Sequence, residues 1–241
     1  MKVIAHRGYS SQAPENTMAA FGKALDVGNT HWELDVQMTK DGEVVVIHDE
    51  TVDRTSDGEG LVKDLTLDQL RQLDFGSWFD EAFTAERIPL LSDVLQTASE
   101  HDVWLNIELK TGIVQYPEIE QRVIDLIHQY DMGQQVAISS FNHYSLKKVK
   151  EICPAMPIGL LYMAGLYEPW HYAARLGAEA LHPLYRSIVP EIVAGAKAAG
   201  IALRPFTVDE PALIQRMIAA GVDGIITNYP ERAAGLLAAK P

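Results

Sequence analysis

His31-Trp32-Glu33-Leu34-Asp35-Val36 alternates in the manner of a strand, turns at Lys40-Asp41-Gly42 and returns through Val44-Val45-Val46-Ile47 to His48-Asp49. Alternate residues of a strand share a face, so Glu33 and Asp35 point the same way, about 6–7 Å apart. Read as a two-residue hairpin turn, Asp41-Gly42 pairs Lys40 with Glu43 and sets His48 opposite Asp35. Cross-strand partners lie about 4.5–5.5 Å apart at Cβ. A slip of one residue would turn His48 to the other face. One short hairpin thus gathers three groups that bind metals or move protons. Taken alone, the Glu-Leu-Asp pair fits a solvated strand edge equally well, so the rest of the chain has to decide.

Outward from this hairpin, short apolar strands alternate with helical patterns to the end of the chain. Strands are expected near 3–7, 31–36, 103–109, 136–140, 157–162, 178–183, 201–207 and 223–227. Helices are expected near 16–28, 91–101, 117–130, 143–152, 170–176, 190–199, 210–220 and 230–239, several closed by glycine, as at Gly177 and Gly221. Eight β–α units in 241 residues predict an α/β fold, a closed (β/α)8 barrel forming a single domain over 1–241. A doubly wound open sheet is the alternative, but no Gly-x-Gly-x-x-Gly follows any strand. Residues 49–88 break the rhythm: a long insertion after the second strand, with a short helix capped by Thr66. Such connections lie on the catalytic face of a barrel, and a small cap over the site is expected. Phe75, Trp78 and Phe79 in the insertion read equally as cap packing or as a homodimer contact.

Composition narrows the function. A formal net charge of −13 argues against nucleic acid as a partner. It also means that an anionic substrate needs a bound cation and local Arg or Lys. The single cysteine, Cys153, excludes a disulfide framework or thiolate metal site and reads as packing. No apolar run approaches the roughly 20 residues of a membrane span. The N-terminus enters a strand at once, without room for a signal peptide, so a cytoplasmic location without stable membrane association is expected.

Barrel chemistry sits at the C-terminal ends of strands. Those ends carry His6 and Arg7, Glu33 and Asp35, Glu108 and Lys110, Ser139-Ser140-Phe141, His182, Phe206-Thr207 and Thr227-Asn228. Glu33, Asp35 and Glu108 bring three carboxylates to one place. Unpaired they would repel until one took up a proton. A divalent cation resolves this, and an all-oxygen set suits Mg²⁺ or Ca²⁺ rather than zinc. Arg7 and Lys110 would complement an anion on that metal, Arg being suited to bidentate contact with phosphate. His6 and His48 beside it suggest a general base and a general acid, although a lone strand-end histidine such as His6 more often bonds a backbone group. Asn16 reads as the N-cap of the first helix, and Glu15 either contacts the metal or does not. Phe206 is expected to face the pocket. The loop from Met163 to Trp170 is either an apolar lip or a packed connection.

Several blocks resemble the glycerophosphodiester phosphodiesterases. They are His6-Arg7-Gly8, Pro14-Glu15-Asn16-Thr17, Glu33-Leu34-Asp35-Val36, His48-Asp49, Arg54-Thr55-Ser56, Asn106-Ile107-Glu108-Leu109-Lys110, Ser139-Ser140-Phe141 and the ending Gly221 to Pro230. The resemblance runs in order through nearly the whole chain. It implies a TIM barrel with an insertion after strand two, His6 and His48 as the acid–base pair, Glu33, Asp35 and Glu108 around Mg²⁺ or Ca²⁺, and Arg7 and Lys110 on the phosphodiester. It further implies hydrolysis of small-molecule substrates such as glycerophosphocholine or glycerophosphoethanolamine to glycerol 3-phosphate and an alcohol. A phospholipase C- or D-like action on lipid phosphodiesters is the alternative. Two places depart from the family's usual pattern. Phe206-Thr207 with Asp209 stands where Trp-Thr and Asn are usual, and Thr227-Asn228 where Thr-Asp is usual.

Overall fold

The computed structural model describes residues 1–239. Strand β1 (Lys2–His6) is followed by helix α1 (Met18–Asp26), and β2 (His31–Met38) forms an antiparallel hairpin with β3 (Val44–Val46). The insertion carries a one-turn helix, α2 (Leu67–Leu70), with the expected N-cap at Thr66, which forms a capping box with Gln69. Then α3 (Leu91–Glu100), β4 (Trp104–Leu109), α4 (Ile119–Gln129), β5 (Val136–Ser140), α5 (His143–Ile152), β6 (Ile158–Tyr162), α6 (Pro169–Leu176) and β7 (Ala180–Pro183) follow. The chain ends with α7 (Pro190–Ala198), β8 (Ala202–Leu203), α8 (Pro211–Ala220), β9 (Gly224–Thr227) and α9 (Pro230–Ala238).

The parallel strands run β8-β7-β6-β5-β4-β2-β1-β9. Asp223 N donates to Leu203 O (3.0 Å), Ile226 N to Pro205 O (3.0 Å) and Val208 N to Ile226 O (2.9 Å), which closes the ring. This is a TIM barrel. The seventh barrel strand, expected over 201–207, is regular only at Ala202–Leu203. Pro205 has no N–H to give the ladder, and pairing resumes as an isolated bridge between Leu184 and Phe206.

Period two sorts the β2 side chains. Trp32, Leu34 and Val36 join the main apolar core with helix residues such as Phe21, whose ring stacks on Trp32 at 5.1 Å. Glu33 and Asp35, on the other face, point into the barrel. Its N-terminal end is plugged by Trp104, with Lys2 Nζ and the Arg204 guanidinium each 4.8 Å from the ring centroid.

The β1–α1 turn depends on Gly8, at φ +77°, where an added Cβ would lie 2.7 Å from the Ala20 carbonyl carbon. Both the left-handed backbone and the clash with backbone penalise a side chain there. Gly8→Ala is expected to lower stability by roughly 2–4 kcal/mol, measured as a shift in urea midpoint. An unchanged midpoint would show that this turn does not hold the strand to the helix.

The hairpin register differs from expectation. Met38 pairs with Val44 and Val36 with Val46, so Ile47 rather than His48 lies opposite Asp35. The loop has three residues, Lys40-Asp41-Gly42, closed by Thr39 N donating to Glu43 O (2.9 Å). The Thr39 hydroxyl accepts from Glu43 N (3.0 Å) and donates to Asp41 Oδ1 (2.6 Å), while Gly42 takes the left-handed position at φ +87°.

The insertion does not roof the barrel. Its apolar residues Val52, Val62, Leu70, Phe75 and Ile88 form a satellite core with Val45 and Ile47 of the hairpin. The cap expected over the site is therefore a flank beside it.

Candidate active site

A pocket of about 260 Å³ opens at the C-terminal end of the barrel. It is lined by His6, Arg7, Glu33, Asn106, Glu108 and Phe206, with His48, Phe141, Leu161, Met163, Thr207 and Ile226 completing the wall. Residues 49–88 contribute no lining side chain. His48 lines the pocket despite the register shift, the chain bending from His48 onward just past the Ile47 N–Asp35 O bond.

Glu33, Asp35 and Glu108 each offer an oxygen within 4.8 Å of the others, and all three residues are buried. Arg7 N donates to Glu33 Oε2 (3.0 Å), and Arg7 Nε lies 3.2 Å from Asp35 Oδ2. Lys110 Nζ donates to Glu108 Oε1 (2.9 Å) and stands 3.8 Å from Asp35 Oδ1. That Asp35 Oδ1 is buried without a hydrogen-bond donor. Three carboxylates against two cations leave one negative charge if all ionise; a divalent cation makes the site positive, as an anionic ligand requires. The donor chemistry and the free Asp35 oxygen fit such an ion.

The electrostatics agree. Burial, then Asp35 and Glu108, push Glu33 well above its ordinary value, and burial with Asp35 lifts Glu108 to about 7. Burial opposes ionisation of Asp35 too, but Arg7, Lys110 and His48 outweigh it and hold that carboxyl low. Without a cation, protons take its place on the two glutamates.

Each histidine is oriented through Nδ1. His6 Nδ1 lies 2.7 Å from Asn228 Oδ1, an amide whose Nδ2 donates to Asp209 Oδ2 (2.7 Å). That second bond fixes the amide so that its oxygen faces His6. Burial first, then Arg7, lower His6 to about 4, so its ring is neutral at pH 7. His48 Nδ1 lies 2.6 Å from Asp49 Oδ1. Burial raises Asp49, but Arg54 and His48 overcome it and set the carboxyl at about 2.

The remaining candidates separate. Phe206 lines the pocket edge-on to Phe141, with centroids 5.7 Å apart. His182 lies wholly buried in the barrel, outside the pocket lining, with both ring nitrogens unpartnered. Glu15 is paired with Arg7 (2.7 Å) and Arg54 rather than joined to the acidic cluster. Asn16 is not the helix cap; Thr17 is, accepting from Ala20 N. Asn16 instead sits at φ +58° and donates to Asp35 Oδ2 (2.9 Å), while its N donates to Arg7 O (3.0 Å), Arg7 itself being at φ +57°. Met163 is an exposed lip of the pocket, whereas Trp170 packs over Gly195, so the loop is partly each of its two readings. The two departures from the usual pattern, Asp209 and Asn228, contact each other, as if the carboxylate and amide had exchanged places.

A profile of the glycerophosphoryl diester phosphodiesterase family matches residues 6–232. The chain belongs to that family. A glycerophosphodiester phosphodiesterase of Caldanaerobacter subterraneus subsp. tengcongensis is 54% identical over 235 residues, covering 98% of this chain and 97% of the relative. One of Bacillus subtilis is 35% identical, over 95% of this chain and 83% of that one. The structure of an Oleispira antarctica phosphodiesterase, in complex with the product sn-glycerol-3-phosphate, superposes with a TM-score of 0.93 at 31% identity, over 99% and 97% of the two chains. The family's enzymes are phosphodiesterases, and the site described above lies where a TIM barrel carries its chemistry.

Proposed function

We propose that this enzyme hydrolyses glycerophosphodiesters such as glycerophosphocholine and glycerophosphoethanolamine to glycerol 3-phosphate and an alcohol, with Mg²⁺ or Ca²⁺ held by Glu33, Asp35 and Glu108. One observation carries the reading: His6, His48, Arg7, Glu33 and Glu108 line one pocket, and Asp35 and Lys110 are in contact with Arg7 and Glu108. The product bound by the Oleispira antarctica phosphodiesterase supports glycerol 3-phosphate as the product here. The divalent ion supplies positive charge against the phosphodiester and its developing negative charge.

The protein's own residues supply the rest. Arg7 and Lys110 hold the phosphate oxygens, for which they must share their attention with Asp35 and Glu108. His6 is the base. With Nδ1–H donating to a neutral amide, its Nε2 lone pair is free to accept the nucleophile's proton. His48 is the acid. The Asp49 carboxylate at Nδ1 orients the ring, which leaves Nε2 to deliver a proton to the leaving alkoxide. Phe206, Phe141 and Met163 form an apolar wall for the non-reacting part of the substrate.

Incubation with glycerophosphocholine or glycerophosphoethanolamine, with EDTA and then with added Mg²⁺ or Ca²⁺, tests this. Release of glycerol 3-phosphate that EDTA stops and a cation restores is expected; no release with any ion would overturn it. A lipid phosphodiester is the second reading, favoured by the exposed Met163 at the pocket and the exposed Tyr167 four residues further along the same loop. Sedimentation with zwitterionic liposomes separates the two.

A further inference from the structure

Arg54 belongs to the insertion, lines no part of the pocket, and yet touches the supports of two pocket residues. Its Nη1 and Nη2 donate to Glu15 Oε2 and Oε1 (3.0 and 2.7 Å). Its Nε and Nη2 donate to Asp49 Oδ2 and Oδ1 (2.6 and 3.1 Å). Each of those carboxylates holds one residue of the site. Glu15 Oε1 accepts from Arg7 Nη1 at 2.7 Å, and Asp49 Oδ1 is the partner of His48 Nδ1. One planar guanidinium therefore bridges the β1–α1 loop to the segment after β3.

We propose that Arg54 is a positioning residue for catalysis, aligning His48 through Asp49 and Arg7 through Glu15. The inference rests on the acid role of His48 and the phosphate role of Arg7 given above. The guanidinium suits this task because its rigid fork of N–H donors engages two carboxylates at once; an ammonium is a single point of charge. Without it, Asp49 and Glu15 face each other as unscreened anions, and each is free to rotate away from its partner. Arg54 does little for folding by comparison. The insertion is held by its own apolar core, and an ion pair this exposed adds little to stability. Loss of alignment and loss of fold are thereby separable.

The test compares Arg54→Ala and Arg54→Lys with the parent enzyme on glycerophosphocholine, alongside circular-dichroism melting. Arg54→Ala is expected to lower kcat by roughly 10- to 100-fold, with a smaller rise in KM and little change in melting temperature. Millimolar guanidinium should restore a large part of that loss in Arg54→Ala, but nothing in a His48→Ala enzyme. Arg54→Lys should recover less than guanidinium does. Nitrogen-15 spectra of the histidine side chains provide a readout without turnover: the parent should show the His48 Nδ1–H in a single hydrogen-bonded environment, and Arg54→Ala a mixture of environments. Parent kinetics in Arg54→Ala, or a loss that guanidinium leaves untouched while the His48 signals stay as in the parent, would overturn the proposal. Should the parent hydrolyse no glycerophosphodiester, the functional reading falls, while the spectra still decide whether Arg54 fixes His48. An Arg54→Ala chain that fails to fold is exposed by its melting curve, and Arg54→Lys then carries the same comparison.

Discussion

His48→Ala lowers kcat on glycerophosphocholine by about 100-fold or more, because a positioned proton donor contributes roughly 10²–10⁴. His6→Ala gives a loss of the same order. The two differ when the leaving group changes. A glycerophosphodiester of p-nitrophenol expels a stable anion that needs no proton, so His48→Ala recovers much of its rate on that substrate and His6→Ala does not. This split follows from the Nδ1 partners, an amide for His6 and a carboxylate for His48. Stability should hardly move in His48→Ala, since that ring is about one-third exposed and leaves no sealed cavity. Equal rescue of both variants would remove the division of roles; near-parent turnover of either on glycerophosphocholine would remove that residue from the chemistry.

Neutralising one glutamate of the cluster moves two readouts in opposite directions. Glu33→Gln or Glu108→Gln weakens divalent-cation binding on the order of 100-fold, since affinity follows the number of charged ligands. The same change should raise the melting temperature of the cation-free protein at pH 8, because an amide needs neither a buried charge nor a proton held against the solution pH. The pH dependence has a definite sign. Glu108 titrates at about 7 in the folded protein, above the 4.5 of an ordinary glutamate. Its favourable contribution is complete below pH 4.5 and is lost as pH rises through 7. Cation-free protein is therefore more stable at pH 5 than at pH 8 through this group, by on the order of 5 °C in melting temperature. Saturating Mg²⁺ or Ca²⁺ closes that gap, adding about 2.7 kcal/mol at a hundredfold excess over Kd. A melting temperature indifferent to both ions at pH 8 would dismiss the cluster as a metal site, as would unchanged cation affinity in both variants.

Much of this was legible in the residues themselves. Strand periodicity and helix spacing give the barrel, and position at strand ends picks out His6, Glu33, Asp35 and Glu108 without reference to a structure. His48 shows the limit of such reading. Its expected place opposite Asp35 relied on a two-residue turn, whereas the Thr39 hydroxyl closes a three-residue one. The ring reaches the pocket by a bend instead. Asn16 looked like a helix cap because Asn caps helices; only the folded chain shows Thr17 taking that task and Asn16 turned to Asp35. Arg54 carries a motif but its bridging role is not legible, since only Asp49 is near in sequence and Glu15 is brought to it by the fold from 39 residues away.

The left-handed backbone at Arg7 and Asn16 has a consequence for how this sequence can drift. Non-glycine residues pay roughly 1–2 kcal/mol to adopt that conformation, asparagine less than most. Glycine satisfies the backbone at position 7 and forfeits the guanidinium; a β-branched residue at 16 forfeits the amide and strains the chain as well. Two unrelated demands meet at each of these positions, so the set of tolerated residues is the small overlap between them. A mutational library would find them nearly closed to change while exposed Gln12, on the same loop, varies freely.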